Sequence, residues 1–262
     1  MALSPAQRSA LIRAEQNARS QVRARLVQYA TTLWNGLGSW RDSDIDRFVT
    51  QIVPRVLAGQ RTVAQLTDAY LAQVTGAGRV GAVDVADLRG VAPVEVYRRP
   101  ATSLYTSLSE GSSMTDAIRA GALRVADLVA TDLQMANVHQ ARASLDASGA
   151  SVFRRTLTGA ENCALCLIAS TQRYHRGSLM PIHPGCDCGV EPLASGEPVP
   201  QVIDPALLEA THEQVADFAG IADRGGRAPD YRKLIVTHEH GEFGPTLAWR
   251  SDAFTGPGDL AA

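Results

Sequence analysis

The sequence is poor in lysine, in aromatic residues and in long apolar runs. Lys233 is the only lysine, so 24 of the 25 basic residues are arginine. A GC-rich genome produces the same bias, which is therefore no sign of phosphate binding by itself. No stretch approaches the roughly 20 apolar residues that a membrane-spanning helix needs, and the first residues lack the apolar core of about 7 to 15 residues of a signal peptide. These absences predict a protein that is made in the cytosol and does not enter a membrane.

The composition is that of a folded protein. Of the 262 residues, 45% are hydrophobic and 20% are charged, with a formal net charge of -2. These values exclude a disordered tail, a collagen-like fibre and a disulfide-packed miniprotein. Residues 1–150 carry 16 basic and 13 acidic groups, and residues 151–262 carry 9 basic and 14 acidic groups. Neither half is basic enough for a dedicated nucleic-acid binder, although non-specific contact with DNA stays open.

Hydrophobic residues recur at helical spacing through the first half. Val22 and Leu26 begin an apolar stripe on one face of a helix. Ser113 precedes Asp116 by three residues, which is the spacing of a reciprocal capping box at a helix start. Pro54 should bend or break its helix, because proline lacks a backbone donor and crowds the preceding turn. The helices predicted in this half cover residues 5–37, 42–74, 102–109 and 114–148.

From about residue 150 the pattern changes to short strands and loops. The sequence predicts strands at 151–157, 233–237 and 246–250, and Asp204 followed by Pro205 marks the start of a helix over 205–218. The expected fold class is therefore α+β. Long amphipathic helices occupy residues 1–150, and a small mixed α/β domain with a cysteine-rich zinc knot occupies residues 151–262.

All four cysteines lie within 26 residues of this second half. Cys163 and Cys166 form a C-x-x-C pair, Cys186 and Cys188 form a C-x-C pair, and His183 precedes the second pair. Two thiolate pairs can complete the tetrahedral shell of a structural zinc ion, whose binding then supplies folding energy. A second interpretation is two disulfides, which a cytosolic chain should not keep. A third is buried or redox-active thiols, but the tight grouping favours zinc.

Five candidate ligands compete for the four positions of such a site. Cys163 and Cys166 are assigned first, and two of His183, Cys186 and Cys188 join them. The spacing leaves open whether the shell is four thiolates or includes the imidazole. A closed shell of four ligands indicates a structural metal, because a catalytic zinc ion keeps one position open for water.

The cysteine motifs resemble those of a known family. The C-x-x-C of residues 163–166 and the His-Pro-Gly-Cys-Asp-Cys string of residues 183–188 are similar to the signature of the phage Mu protein F–like family of minor head proteins. Asp187 stands where an arginine is common in that family. The segments at residues 238–245, 249–250 and 254–257 resemble versions carried by tailed phages of actinobacteria.

What the resemblance implies is a minor capsid protein of a tailed phage. Such a protein would lie in the virion head near the portal vertex and act in head assembly, DNA packaging or DNA ejection. Its partners would be the portal protein and, further, the major capsid or scaffolding protein, with non-specific contact with packaged DNA. It would pass through the host cytoplasm during assembly.

A metal-dependent hydrolase or nuclease that uses the Cys/His cluster is the alternative. His238 and His240 stand two residues apart and can share a metal at a strand end, although an exposed polar turn is the simpler interpretation. The zinc-protease motif is absent, because the pair His212 and Glu213 has no second histidine at the required spacing. The sequence contains neither a P-loop nor a G-x-S-x-G nucleophile elbow. We therefore expect no enzymatic activity.

Two remaining groups of residues have both a functional and a plain interpretation. Arg154, Arg155 and residues 174–176 could contact phosphates, but solvated strand and loop positions are the simpler explanation. Trp34 and Trp40 lie beside the glycines that end the first helix. They are either core anchors or contacts for a partner.

Overall fold

The computed structural model describes residues 3–157, 161–179, 186–193, 199–219, 235–240 and 244–249. The described part is mostly helical, with six α-helices and two small antiparallel sheets of three strands each. It divides into two compact units, Met1–Ser151 with Arg176–Asp187 and Val152–His175 with Cys188–Ala262. Long helices followed by a small α/β region are therefore confirmed at the level of fold class.

The secondary-structure elements are as follows. The helices are α1 (Pro5–Asn35), α2 (Asp42–Thr75), α3 (Pro93–Ser109), α4 (Met114–Ser148), α5 (Ala164–Ser170) and α6 (Pro205–Ala219). The strands are β1 (Val152–Thr156), β2 (Glu161–Cys163), β3 (Arg173–His175), β4 (Gly189–Pro192), β5 (Ile235–His240) and β6 (Gly244–Trp249). None of the helices in the described part of the chain combines the length and the apolar character of a membrane span.

Helices α1 to α4 pack around one hydrophobic core. Helix α4 lies against each of the other three, and α2 also contacts α1 and α3. Val22 and Leu26 pack against this core, as their spacing predicts. The apolar stripe of α1 is therefore used inside this unit.

Trp34 is a core anchor and not a contact for a partner. Its side chain is completely buried, and its ring meets that of Phe48 edge to face, with 5.5 Å between the ring centroids. The indole N–H donates to the carbonyl oxygen of Ile118 at 3.0 Å. Trp40 is half-buried and packs against the same core. Of the two interpretations drawn from the sequence, the core anchor is the one that the structure supports for Trp34.

Two helices continue through an interior proline. Helix α2 is continuous across Pro54, and α3 begins at Pro93 and includes Pro100, so it is nine residues longer at its start than the predicted 102–109. Proline at the first turn of a helix costs nothing, because the missing N–H would have no intrahelical partner there. An interior proline costs about 3 kcal/mol. Burial of side chains on both sides of Pro100, among them Val96 and Leu104, offsets that cost.

The helix caps differ from the predicted ones in a single detail. Ser113 caps α4 by accepting from the Asp116 N–H at 3.1 Å, but its own hydroxyl donates to the Asp116 carboxylate at 2.7 Å. The predicted reciprocal bond to the Ser113 N–H is replaced by this side-chain bond, because aspartate is one methylene shorter than the glutamate of a capping box. The reciprocal arrangement forms instead at the start of α1, between Ser4 and Gln7.

A buried carboxylate fastens the loop of residues 76–92 to the helices. Asp68 is 1% exposed and accepts from the N–H groups of Val80 and Gly81, each at 3.1 Å. The Arg79 guanidinium donates to it at 3.0 Å and the Ser144 hydroxyl at 3.1 Å. Four donors thus replace the water that burial removes from this carboxylate.

Two side chains of α4 hold the rest of this loop. Gln140 is completely buried, and its amide accepts from the Val83 N–H at 2.8 Å and donates to the Gly81 carbonyl oxygen at 2.9 Å. Farther along the loop, Arg89 forms an ion pair with the buried Asp132. The loop is therefore an ordered part of the helical unit, although it has the glycine-rich composition of a flexible linker.

We predict that this attachment weakens in acid. Burial raises the pKa of Asp68, but the hydrogen bonds from Val80, Arg79, Gly81 and Ser144 outweigh it and hold that pKa below its ordinary value of 3.8. A carboxyl group with a lowered folded pKa stabilises the fold above its unfolded pKa, and this contribution is lost as the pH falls through the folded value. Hydrogen exchange at the amides of Val80 and Gly81 should therefore rise, relative to the intrinsic rate, as the pH falls below about 3.8.

Asp68→Asn is the control for this prediction. The asparagine keeps the shape of the side chain but has no carboxylate to titrate, so the loop amides should be less protected at neutral pH and should lose the acid-dependent step. The same acid-dependent step in both proteins would contradict the role of Asp68.

The two sheets belong to the C-terminal part of the chain. Their strand orders are β3-β1-β4 and β2-β5-β6. Strands β1, β5 and β6 and helix α6 confirm the four elements predicted here, with Asp204 capping α6 through the Leu207 N–H at 3.0 Å. Strands β2, β3 and β4 are missed by the sequence analysis, because three or four residues are too few to show an alternating pattern.

Candidate metal centre

The first cysteine pair lies where a strand passes into a helix. Strand β2 ends at Cys163, which is the N-cap of α5, and Cys166 follows in the first turn of that helix. Residues three apart on a helix start lie on one face, and the two sulfur atoms are 3.4 Å apart. The C-x-x-C spacing thus produces a local pair of thiols.

The second pair joins the first through Cys166. Cys186 and Cys188 flank Asp187 just before β4. The sulfur atoms of Cys166, Cys186 and Cys188 all lie within 4.8 Å of one another, and each of these residues is buried. All four predicted cysteine ligands are between 4% and 6% exposed. Three close, buried cysteines can hold a metal ion, with Cys163 in contact with one of them.

The sulfur positions fit the size of a tetrahedral metal site. Metal–sulfur distances near 2.3 Å place the sulfurs of a tetrahedron about 3.8 Å apart, between the 3.4 Å of the first pair and the 4.8 Å limit of the trio. None of the four cysteines, all of which the structure describes, forms a disulfide. The separation of 3.4 Å is far longer than the 2.05 Å of a disulfide bond. The interpretation as two disulfides is therefore wrong for this structure.

The strand–C-x-x-C–helix arrangement also occurs in redox-active dithiols. A redox dithiol needs one sulfur that solvent and substrate can reach, whereas Cys163 and Cys166 are each 4% exposed. Redox activity also gives no reason for Cys186 and Cys188 to lie beside Cys166. The arrangement therefore supports metal binding better than redox exchange.

Of the three histidines proposed as metal ligands from the sequence, the structure describes two. His183 lies outside the described residues, so its part in the ligand set stays a prediction. His238 and His240 lie on β5, where they pair with Thr246 and Gly244 of β6. The turn expected at these histidines is therefore wrong, because the strand continues to His240.

Two arginines of α1 contact the segment that carries the second pair, and the sequence analysis missed both. Arg19 is 6% exposed and donates through Nη1 to the carbonyl oxygen of Asp187 at 3.1 Å. Arg23, one helical turn later, lies 3.6 Å from the Asp187 carboxylate. Only the position of Asp187 between two cysteines could have hinted at such contacts, and no sequence signal singles out these two arginines among twenty-four.

The arginines proposed as phosphate contacts are engaged within their own sheet. Arg154 pairs with Glu191 of the neighbouring strand at 2.6 Å. Arg155 is buried and stacks over the Tyr174 ring, 5.4 Å from its centroid. Burial raises the pKa of Tyr174 above 10.0 although Arg155 lowers it. The solvated position expected for Arg155 is therefore wrong, since its guanidinium covers an aromatic ring.

Comparison with known proteins adds no further constraint on the site. No protein family, no curated protein and no solved structure matches the chain.

Proposed function

We propose that this chain is a non-enzymatic minor head protein of a tailed phage, in which a zinc ion bound by cysteines stabilises the C-terminal region. One observation carries the proposal. Two cysteine pairs that are twenty residues apart along the chain meet at Cys166, Cys186 and Cys188. The same two pairs carry the resemblance to the Mu protein F–like minor head proteins.

A structural role for the metal follows from burial and donor type. Thiolates are preferred ligands of zinc, and a shell filled by protein side chains leaves no position for water or substrate. All four cysteines are buried. Around them the strands are short, at three to six residues, so a metal that ties them together replaces core area that the region lacks.

A surface that docks on the portal protein has to lie outside the apolar stripe of α1. The apolar stripe of α1 packs inside the helical unit, so it is not available to a partner. Among the described residues, the most exposed large apolar side chain is Leu123 of α4, at 62% exposure, with Tyr105 of α3 at 46%. Portal, major capsid and scaffolding proteins are the candidate partners that this proposal names.

Recovery of the tagged protein from infected cells tests this assignment. We expect the portal protein to be enriched in the eluate, and the chain itself to be present in purified virions. The lysate is treated with nuclease in a parallel sample, where enrichment should persist if contact with packaged DNA does not mediate it. Absence of the chain from both heads and virions would overturn the proposal. Exchangeable metal together with cleavage of DNA or peptide would favour the hydrolase or nuclease.

A further inference from the structure

We propose that Arg19 is a positioning residue for the metal site: it fixes the backbone between Cys186 and Cys188 and offsets the negative charge of the thiolate cluster. This inference rests on the metal binding proposed above and goes beyond it, because it assigns a role in that binding to helix α1.

Burial of the Arg19 guanidinium group is energetically costly. It is 6% exposed, and its Nε donates to the buried Glu15 carboxylate at 2.6 Å. Arginine keeps its charge in proteins, and burial of a charge costs several kcal/mol unless it is paired and hydrogen-bonded. Glu15 balances the charge but occupies only one of the donor nitrogens.

The second donor reaches the metal-binding segment. Nη1 of Arg19 donates to the carbonyl oxygen of Asp187, the residue between Cys186 and Cys188. This bond restrains the peptide that links the two cysteines, and with it the directions of their side chains. Supporting contacts of this kind typically change metal affinity by 10- to 100-fold when they are removed.

The third nitrogen of Arg19 is a buried donor that the described part of the chain leaves unused. Nη2 of Arg19 is buried and has no hydrogen-bond partner among the described residues. Buried donors without an acceptor are rare in folded proteins. Arg19 lines one small cavity together with Cys186, Asp187 and Gln134.

Charge explains why a cation is useful at this place. A divalent ion with three thiolates carries a net charge of -1, and with four it carries -2. The site is buried, so this charge is poorly screened by water, and a guanidinium that shares a cavity with Cys186 stabilises it. Arg23 adds a weaker contribution, because its pair with the Asp187 carboxylate is more than a third exposed on each side.

The test compares zinc release from four variants of the full chain. Glu15→Gln/Arg19→Met removes both buried charges together, since removal of one alone leaves the other uncompensated. Glu15→Gln by itself leaves the guanidinium without its carboxylate partner but keeps Arg19 and its bond to the Asp187 carbonyl, so faster release from the double variant than from this single variant is due to Arg19. Asp187→Ala removes the carboxylate but keeps that carbonyl, and Arg23→Gln removes the more exposed cation.

We expect the double variant to release zinc to a chelator about 10- to 100-fold faster than Glu15→Gln. Asp187→Ala and Arg23→Gln should stay close to the wild-type rate. The spectrum of the cobalt-substituted protein should shift in the double variant only, because it reports the geometry of the sulfur ligands. Equal release rates and an unchanged cobalt spectrum would overturn the role of Arg19.

Two further outcomes keep this test separate from the proposed function. Absence of bound zinc in the wild-type chain would refute the metal site itself, and with it the role of Arg19. If the double variant does not fold, Arg19→Lys takes its place. Lysine keeps the charge but cannot bond Glu15 and Asp187 with a planar fork, so zinc release should again be faster, and an unchanged rate would count against the proposal.

Discussion

Cys166→Ser is expected to lose zinc and to unfold the region around α5 and β4, while the four long helices stay folded. Cys166 is the residue that joins the two cysteine pairs, through Cys163 at 3.4 Å and through Cys186 and Cys188 within 4.8 Å. A serine hydroxyl stays protonated at neutral pH and is a poor zinc ligand. The variant therefore leaves buried thiols without the metal that offsets their charge.

The expected effect is large because of how much free energy a structural zinc ion supplies. Binding contributes about 10–16 kcal/mol in small zinc-dependent folds, whereas a whole domain is stable by only about 5–15 kcal/mol. Loss of one ligand should weaken zinc binding by more than the 10- to 100-fold that supporting residues contribute. We therefore expect the short strands of this region to lose order when the proposed ion is absent.

Metal content and hydrogen exchange measure this result. The wild-type chain should contain one zinc per molecule after gel filtration, and Cys166→Ser much less. Amides of β1 and β4 should lose protection in the variant, whereas those of α2 and α4 should keep it. Ser170→Ala is the matched control, because it alters the same short helix without touching a sulfur. A zinc content and melting temperature equal to those of the wild type would show that Cys166 is not a ligand.

The identity of the fourth ligand can be resolved in the same experiment. Cys163 contacts Cys166 but is not part of the trio of mutually close sulfurs, and His183 lies outside the described residues. If the shell is four thiolates, Cys163→Ser should release zinc as readily as Cys166→Ser, and His183→Ala should retain it. The reverse pattern would assign the fourth position to the imidazole.

The cysteine grouping was predictable because it is a property of local spacing. A C-x-x-C at a helix start and a C-x-C before a strand each place two sulfur atoms on the same side of the backbone. One such pair supplies two metal ligands, and a site of four ligands needs the second pair as well. The contact of Arg19 with the Asp187 carbonyl has no such signature. It joins residues 168 positions apart, and twenty-four arginines offer no means of selecting one.

For the helices too, features set by local sequence were predictable, whereas features set by tertiary packing were not. Helical spacing and caps predicted α1, α2 and α4 within two residues at each end. Helix α2 is not broken at Pro54, and α3 extends through Pro100. The cost of an interior proline can be read from the sequence, whereas the burial that offsets it depends on packing against α4. Trp34 was ambiguous for the same reason, since a tryptophan beside glycines can equally close a core or face a partner.

Gly121→Ala is expected to destabilise the helical unit by about 2 kcal/mol, although alanine is the better helix former. A Cβ atom at Gly121 would lie 2.3 Å from Cζ2 and 2.8 Å from Cε2 of Trp34. The indole cannot move away easily, because it is completely buried and its N–H is bonded to the Ile118 carbonyl oxygen. Overpacking of this kind costs about 1–3 kcal/mol, and the clash is severe enough to outweigh the roughly 1 kcal/mol that replacing a helical glycine contributes.

Gly59→Ala is the matched control on α2. A Cβ atom there would lie 2.7 Å from a terminal methyl carbon of Leu26 and 3.3 Å from one of Leu133. Leucine methyl groups can rotate away, whereas an indole ring is rigid, so the gain in helix propensity should nearly cancel the crowding. Thermal unfolding should therefore separate two substitutions that are identical in chemistry, with the melting temperature lowered by about 4–8 °C for Gly121→Ala only.

A double-mutant cycle with Trp34→Phe identifies the contact responsible. Phenylalanine lacks the second ring, and with it the Cζ2, Cε2 and Nε1 atoms that a Cβ at position 121 would meet. Trp34→Phe should destabilise the glycine-containing chain, because it opens a cavity and removes the bond to Ile118. In the Gly121→Ala background the same change should cost less or restore stability, with a coupling energy of about 1–3 kcal/mol. A coupling energy near zero would mean that the cost of Gly121→Ala does not come from the contact with the Trp34 indole.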